Sequence, residues 1–174
     1  MAWGRIKLDG MPFNQMILFP TEFKLVTTRD GLRMRATPIA EIEKLHRKPR
    51  SWLSLKISEA NQQLSKAGSE PLHVRLNVTL EREEDLSILY QGNTIATIRS
   101  ADMDNGRGSI EILIDKGIAE IFVNNGARYI ATQIPTKTGG RGLELASGKN
   151  ASAINSFQIF HMKSMWAARS SSQQ

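Results

Sequence analysis

The chain has 174 residues, a length that fits one domain and is enough to bury a hydrophobic core without cross-links. Hydrophobic residues make up 40% of it and charged residues 23%, which excludes a disordered or fibrous protein. The net charge of +6 allows binding to an anionic polymer, and the lack of cysteine excludes disulfides, thiolate metal sites and a thiol nucleophile.

The N-terminal residues 1–11 contain no apolar stretch behind basic residues, so the sequence predicts no signal peptide here. Nowhere does an apolar run approach the roughly 20 residues that a membrane-spanning helix needs. From the chain as given we therefore expect no membrane partner.

The first strong pattern is a β-hairpin over residues 22–38. Two alternating runs are separated by Arg29-Asp30-Gly31, and Asp-Gly between alternating runs is a strong hairpin signal. The second run places three apolar residues on one face and three polar residues on the other: Leu32, Met34 and Ala36 against Arg33, Arg35 and Thr37.

Residues 39–48 carry acids early and bases late, which predicts one short helical turn that connects the hairpin to the next strand. The densest run of positive charge follows at Lys44–Arg50. Aromatic residues do not alternate with these bases as they do in proteins that stack single strands, so we interpret the run as a solvated loop.

The stretch from residue 51 to residue 71 is ambiguous. Residues 52–58 alternate like a strand, whereas residues 59–68 contain helix formers and end on a glycine. Strand and helix both stay open at this point.

Alternation resumes after Pro71 and continues to Trp166, interrupted by turn residues and loops. Over the whole chain, the alternating runs predict about ten to twelve strands, with one or two short helical turns between them. The pattern predicts an all-β fold, a two-sheet antiparallel β-sandwich of the jelly-roll or concanavalin-like kind.

Local motifs for catalysis, metals and cofactors are missing. The three histidines are far apart in the chain and lack the close pairing of local zinc motifs, and the glycine pair at 139–140 has neither the lysine nor the helix of a phosphate-binding loop. We predict no metal site, no cofactor and no catalytic residue in this chain.

Three blocks of the sequence carry a resemblance to a known family. "MPFNQMILFPTEFKLVTTRDGLRMRATPIAEIEKL" resembles the stretch where fructan hydrolases of glycoside hydrolase family 32, the invertase, levanase and inulinase group, pass from catalytic propeller to C-terminal β-sandwich. "EILIDKGIAEIFVNNGARYIATQI" looks like the signature hairpin of that sandwich, and "FHMKSMW" is similar to its final strand. Residues 47–108 match poorly.

The resemblance implies the accessory sandwich without its catalytic five-bladed propeller. The sequence has no cysteine for the Glu-Cys acid/base and no Arg-Asp-Pro stabiliser, so fructoside hydrolysis is not implied for this chain. The resemblance implies that a missing or separate propeller is the partner of this chain. If the chain follows the enzymes that it resembles, the resemblance also implies a secreted or periplasmic location. We divide the chain into a former interdomain segment with the first strand (1–20), the sandwich (21–166) and a frayed tail (167–174).

The hairpin block contains two acids, Asp115 and Glu120, and three uses for them stay open. In the structural interpretation, Asp115 caps backbone N–H groups at the Lys-Gly turn, while Glu120 bonds a neighbouring strand or pairs with Arg99 or Arg128. A catalytic pair is the least supported use, because nothing places a scissile bond between the two.

Sugar binding is the third use of these acids. Carboxylates and arginines bind vicinal hydroxyls, and aromatic rings pack on the C–H face of a sugar, so the set would suit a fructose end. The predicted carbohydrate-binding residues are Asp115, Glu120, Arg99, Arg128, Tyr90, Tyr129 and Trp52.

Trp3, Phe13 and Phe19 are the predicted interdomain or oligomer contacts. The corresponding stretch of an intact enzyme lies against the propeller, so these aromatics could form a bared apolar patch that drives homo-oligomer formation. The alternative is that they belong to the core.

Three functions follow in order of support. The first is a non-catalytic β-sandwich module with an interdomain role and weak fructan binding, and the second is a dedicated levan or inulin carbohydrate-binding module. The third, motivated by the charge of +6, is a binder of nucleic acid or another anionic polymer.

Overall fold

The computed structural model describes residues 3–4, 12, 14–68, 71–135, 142–148 and 153–163. The strands in this part of the chain are β1 (Trp3–Gly4), β2 (Met16–Ile17), β3 (Thr21–Thr28), β4 (Gly31–Pro38), β5 (His46–Leu55), β6 (Leu72–Thr79), β7 (Asp85–Tyr90), β8 (Asn93–Arg99), β9 (Arg107–Asp115), β10 (Ile118–Val123), β11 (Arg128–Gln133), β12 (Leu143–Ser147) and β13 (Ala153–Met162). One α-helix, α1 (Ile57–Ala67), and two 3-10 helices, Ala40–Leu45 and Ser100–Asp102, complete them.

Two antiparallel sheets enclose the main core. The large sheet has six strands in the order β11-β10-β9-β6-β13-β5, and the small sheet has three in the order β12-β7-β8. Their inward side chains pack together, among them Val74, Ile112 and Phe157 from the large sheet and Leu86 and Ile98 from the small one. The predicted two-sheet antiparallel β-sandwich is confirmed.

The ambiguous stretch, residues 51–71, contains both a strand and a helix: the end of β5 comes first and α1 follows it. Strand β5 ends at Leu55, and α1 begins at Ile57, where the Lys56 N–H donates to the Glu59 carboxylate at 2.7 Å. Its buried side chains, Ala60, Leu64 and Ala67, share one face and pack into the main core. With 11 residues, α1 is longer than the one or two short helical turns predicted.

The basic run Lys44–Arg50, predicted as a solvated loop, instead covers the end of the 3-10 helix and the first half of β5, so the loop prediction is wrong. β5 pairs with β13 at the edge of the large sheet, where charged side chains can still point into water. The pairing slips at Lys48, whose φ is 48°, and Pro49 is tolerated because it lies at this irregular edge.

The hairpin predicted at residues 22–38 is confirmed as β3 and β4, which form a sheet of their own. The predicted turn lies at Arg29-Asp30, and Gly31 follows with a φ of +93°. The short helix predicted after the hairpin is the 3-10 helix Ala40–Leu45, whose Ile42 side chain is buried against the outer face of the large sheet.

Parts of both chain ends and three internal segments, 69–70, 136–141 and 149–152, lie outside the described residues. Phe13, the side chain of Trp3, residues 164–166 of the predicted final strand and the predicted tail 167–174 are among them. The backbone of Trp3 pairs with Ile17 in the ladder of β1 with β2.

Candidate functional site

Glu120 lies on the outer face of the large sheet and is completely buried. Its Oε1 accepts a hydrogen bond from the backbone N–H of Phe19 at 2.7 Å, and its Oε2 accepts one from the Tyr129 hydroxyl. Because Tyr129 is on β11 and Phe19 is in the segment before β3, one carboxylate ties that segment to two neighbouring strands. The predicted hydrogen bond to a neighbouring strand is confirmed.

Burial shapes the ionisation of this pair. It raises the pKa of Glu120 above its usual range, and the hydrogen bonds from Tyr129 and Phe19 offset only part of this rise. Burial and the adjacent carboxylate raise the pKa of Tyr129 far above the ordinary phenol value. Tyr129 therefore stays protonated at every physiological pH and can act as a permanent donor to Glu120.

Asp115 sits at the other end of the same hairpin, exposed at the turn between β9 and β10. Its Oδ1 accepts from the backbone N–H of Lys116 at 2.7 Å, the turn-capping contact predicted for it. The strand register pairs Glu120 with Leu113 and Asp115 with Ile118. The two acids thus lie on one face of the hairpin, and each is bound to its own donors.

The two candidate arginines bind Asp102 rather than Glu120. Arg128 Nη1 contacts Asp102 Oδ2 at 2.6 Å and also donates to the carbonyl of Thr97 at 3.1 Å. The Arg99 backbone N–H donates to the same Oδ2 at 3.0 Å. Asp102 therefore joins the 3-10 helix after β8 to β11 and ties the small sheet to the large one. The predicted pairing of Glu120 with an arginine is wrong.

The remaining predicted sugar-binding residues lie elsewhere. Tyr90 is buried in the main core between the sheets, and burial raises its pKa. Trp52 packs against that core beside Phe157, with ring centroids 5.7 Å apart, and the Arg50 guanidinium lies 5.8 Å from its ring. The fold therefore brings together Glu120 with Tyr129 and Arg99 with Arg128, and disperses the rest of the set.

Of the predicted interdomain aromatics, Phe19 is the one whose side chain the structure describes. It is partly buried against the cluster formed by Ile42, Leu113, Phe122 and Met162 on the outer face of the large sheet. Its side chain therefore contributes to packing within this chain, in line with the alternative that it belongs to the core.

The hairpin of β3 and β4 has an exposed apolar face that sequence reasoning did not assign to a site. Register places four large side chains on one face, and they are 50%, 74%, 65% and 61% exposed: Phe23, Leu25, Leu32 and Met34. We call this surface the apolar ribbon face. Its alternation was visible in the sequence, but alternation cannot show whether another element covers the apolar side.

A charged network lies beside the 3-10 helix Ala40–Leu45, and it too was missed. Buried His73 contacts His46 Nε2 through its Nδ1 at 2.8 Å and Glu111 Oε1 through its Nε2 at 2.6 Å. Arg75 bridges Glu111 at 2.9 Å and Glu43 at 2.8 Å. These contacts join residues on strands that are far apart in the chain, so no local sequence motif could have predicted them.

The pKa values of Glu111 and His46 are shifted by burial and by the charged groups close to them. Burial works to raise the pKa of Glu111, but hydrogen bonds from His73 and Arg75 outweigh it and hold that pKa below its usual range. Since ionised Glu111 only accepts, His73 donates from Nε2. Burial and the neighbouring His73 and Arg75 lower the pKa of His46.

Acidic side chains and histidines in the described residues do not gather in groups of three or more that could hold a metal ion. Within the same residues, the helices lack the length and apolar content of a membrane-spanning segment.

Comparison with known proteins gives three kinds of match. Residues 40–161 match the family model described as "Glycosyl hydrolases family 32 C terminal". The levanase of Bacillus subtilis (strain 168) is 22% identical over 191 residues, a match that covers 89% of this chain and 28% of the levanase.

Solved structures share the fold at low sequence identity. The exo-inulinase from Aspergillus awamori matches with a TM-score of 0.65 at 14% identity, over 93% of this chain and 38% of its own. The fructofuranosidase from Schwanniomyces occidentalis matches with a TM-score of 0.60 at 10% identity, over 90% of this chain and 42% of its own. The chain thus spans less than half the length of these relatives.

Proposed function

The chain belongs to the C-terminal domains of glycosyl hydrolase family 32, and we propose that it is a non-catalytic β-sandwich that packs against the catalytic domain of a fructan-hydrolase-like protein. The proposed partner is the five-bladed propeller that the family resemblance implies. The observation that carries this proposal is the apolar ribbon face.

The ribbon stands outside both sheets of the sandwich. A two-stranded hairpin is marginally stable by itself in water, and contiguous exposed apolar surface marks interaction sites. The charged residues of the ribbon lie on the opposite face, where Lys24 and Glu22 pair at 3.0 Å. One face is thus suited to water and the other to a partner.

The matched regions support an interdomain position for the ribbon. The family model begins at residue 40, directly after β4, so the ribbon precedes the sandwich proper. The match to exo-inulinase leaves 7% of this chain uncovered, which is shorter than the hairpin. At least part of the ribbon therefore has a counterpart in a chain more than twice as long as the sandwich.

We expect Leu25→Lys with Met34→Lys to weaken binding to the catalytic domain by about a hundredfold or more. These two side chains face each other across the ribbon, and each apolar side chain buried at an interface contributes roughly 1.5–3 kcal/mol. The assay is isothermal titration of the chain with the family 32 catalytic domain encoded upstream of it or in a neighbouring gene of its own genome.

The matched control is Lys24→Ser with Arg33→Ser, which changes the opposite face of the same two strands. This control should leave the affinity for the catalytic domain within about threefold of the wild-type value, because exposed charges contribute little to binding free energy. Equal weakening by both pairs contradicts the proposal, as does a genome that encodes no such catalytic domain.

Three further predictions remain outside this proposal. A dedicated levan- or inulin-binding module is the second candidate function. Binding of nucleic acid or another anionic polymer, motivated by the net charge of +6, stays a prediction, and so does a secreted or periplasmic location.

A further inference from the structure

The outer face of the large sheet carries six polar side chains in two rows across three adjacent strands. Register aligns Arg75 with Glu111 and Gln158 in the first row, and Asn77 with Ser109 and Ser156 in the second. We call this set the polar grid. It combines one carboxylate, one guanidinium, two amides and two hydroxyls on a single surface.

The polar grid forms the floor of a groove with a volume of about 300 Å³. The end of β4, at Thr37, and the turn between β10 and β11, at Asn125 and Gly126, form one wall. This volume is at the lower end of the roughly 300–1,000 Å³ that small-molecule sites occupy. The lining is mainly polar, so the groove does not suit an apolar ligand.

Hydrogen bonds within the grid fix its geometry and leave capacity for a ligand. Asn77 Nδ2 donates to Ser156 Oγ at 2.8 Å, and Arg75 Nε donates to Glu111 Oε1 at 2.9 Å. Among the described residues, none forms a hydrogen bond with the side-chain amide of Gln158. The four hydrogen-bonded side chains are therefore pre-positioned and lose little side-chain entropy when they bind a ligand.

Charge and backbone pairing restrict the class of ligand. Arg75 lies between two carboxylates, Glu111 at 2.9 Å and Glu43 at 2.8 Å, so an anion would meet no uncompensated positive charge. The floor strands β6, β9 and β13 each have a neighbour on both sides, so their backbones are not free to add a peptide strand.

We propose that this groove binds a neutral saccharide end through its vicinal hydroxyls. Carboxylate, guanidinium and amide groups offer paired donors and acceptors that match neighbouring hydroxyls. The site differs from the residues predicted from sequence and from the apolar ribbon face. The inference goes beyond the interdomain role, and either can fail without the other.

The experiment titrates the 174-residue chain, labelled with 15N, with fructose, sucrose, inulin, levan and dextran. We expect millimolar or tighter binding of at least one saccharide, with amide shifts concentrated on β6, β9 and β13. Selective binding of fructans would join the groove to the second candidate function. No binding of any saccharide at millimolar concentrations, or shifts located elsewhere, overturns the proposal.

Variants assign the binding to the groove. Gln158→Ala and Asn77→Ala should each weaken binding about three- to tenfold, the loss expected for a hydrogen bond or two. Gln62→Ala, an exposed glutamine on α1 away from the groove, should leave it unchanged. Equal affinities in all three variants, or competition by inorganic phosphate, would show that the saccharide site lies elsewhere or that the groove is an anion site.

Discussion

Replacing Glu120 with alanine is expected to lower the free energy of unfolding by about 2–4 kcal/mol. The change leaves the Phe19 N–H and the Tyr129 hydroxyl without their acceptor, and an unsatisfied buried donor costs about 1–3 kcal/mol. Urea unfolding measures the loss. Hydrogen exchange at the Phe19 amide should accelerate more than exchange in the main core, because Glu120 fastens the segment that leads into β3.

The matched control for this prediction is Glu120→Gln, which keeps the shape of the side chain. Its amide oxygen can accept from Phe19 and its NH2 group can donate to Tyr129, so we expect a loss below about 1 kcal/mol. A glutamine variant that loses as much as the alanine variant would contradict a role based on hydrogen bonding.

The sign of the pH dependence follows from the raised pKa of Glu120 in the folded chain. The native state holds this proton more tightly than the unfolded chain, so the contribution of Glu120 is fully present below the unfolded pKa of about 4.5. It is lost as pH rises through the folded pKa. The stability advantage of wild type over Glu120→Gln should therefore shrink between acidic and neutral pH, and an advantage that grows would contradict the assignment.

Replacing Gly126 with alanine is expected to lower the free energy of unfolding by about 3 kcal/mol. Gly126 has a φ of +76°, and an added Cβ would overlap the carbonyl oxygen of Ala36 in β4. The left-handed conformation costs an alanine about 1–2 kcal/mol, and displacement of β4 would also break the bond from the Ala36 N–H to the Gly126 carbonyl, 3.0 Å long. Thermal and urea unfolding check the value.

Gly92 supplies the matched control for Gly126. Its φ is +78°, nearly the same, but an added Cβ would meet no atom within 4 Å. Gly92→Ala should therefore cost only the conformational part, about 1–2 kcal/mol. The excess at Gly126 measures the close approach of the ribbon to the sandwich, and equal losses at the two positions would show that no such contact limits the site.

Strand positions were predictable from sequence wherever one side of a strand faces water. The alternation of Leu32, Met34 and Ala36 with arginines and a threonine identifies β4, and the Asp-Gly turn joins it to β3. The prediction failed at β5, because an edge strand carries its bases and Pro49 at an irregular pairing, where local sequence looks like a loop.

The candidate site was much less predictable than the fold. Asp115 and Lys116 are neighbours in the chain, so the cap at their turn could be predicted from residue types. Glu120 was singled out, but its donor Phe19 is 101 positions away. A partner at that separation is chosen by the packing of the segment before β3 and not by any local pattern.

Sequence alone determined the sandwich class, the hairpins and the resemblance to family 32, because strand periodicity and turn chemistry are local properties written in consecutive residues. Tertiary structure alone decided that Asp102 binds Arg99 and Arg128. It also decided that the apolar ribbon face is exposed and that Arg75, Asn77 and Gln158 line one groove. These features depend on strand order and register between distant segments, and each strand shift of one residue would turn the same side chains to the opposite face.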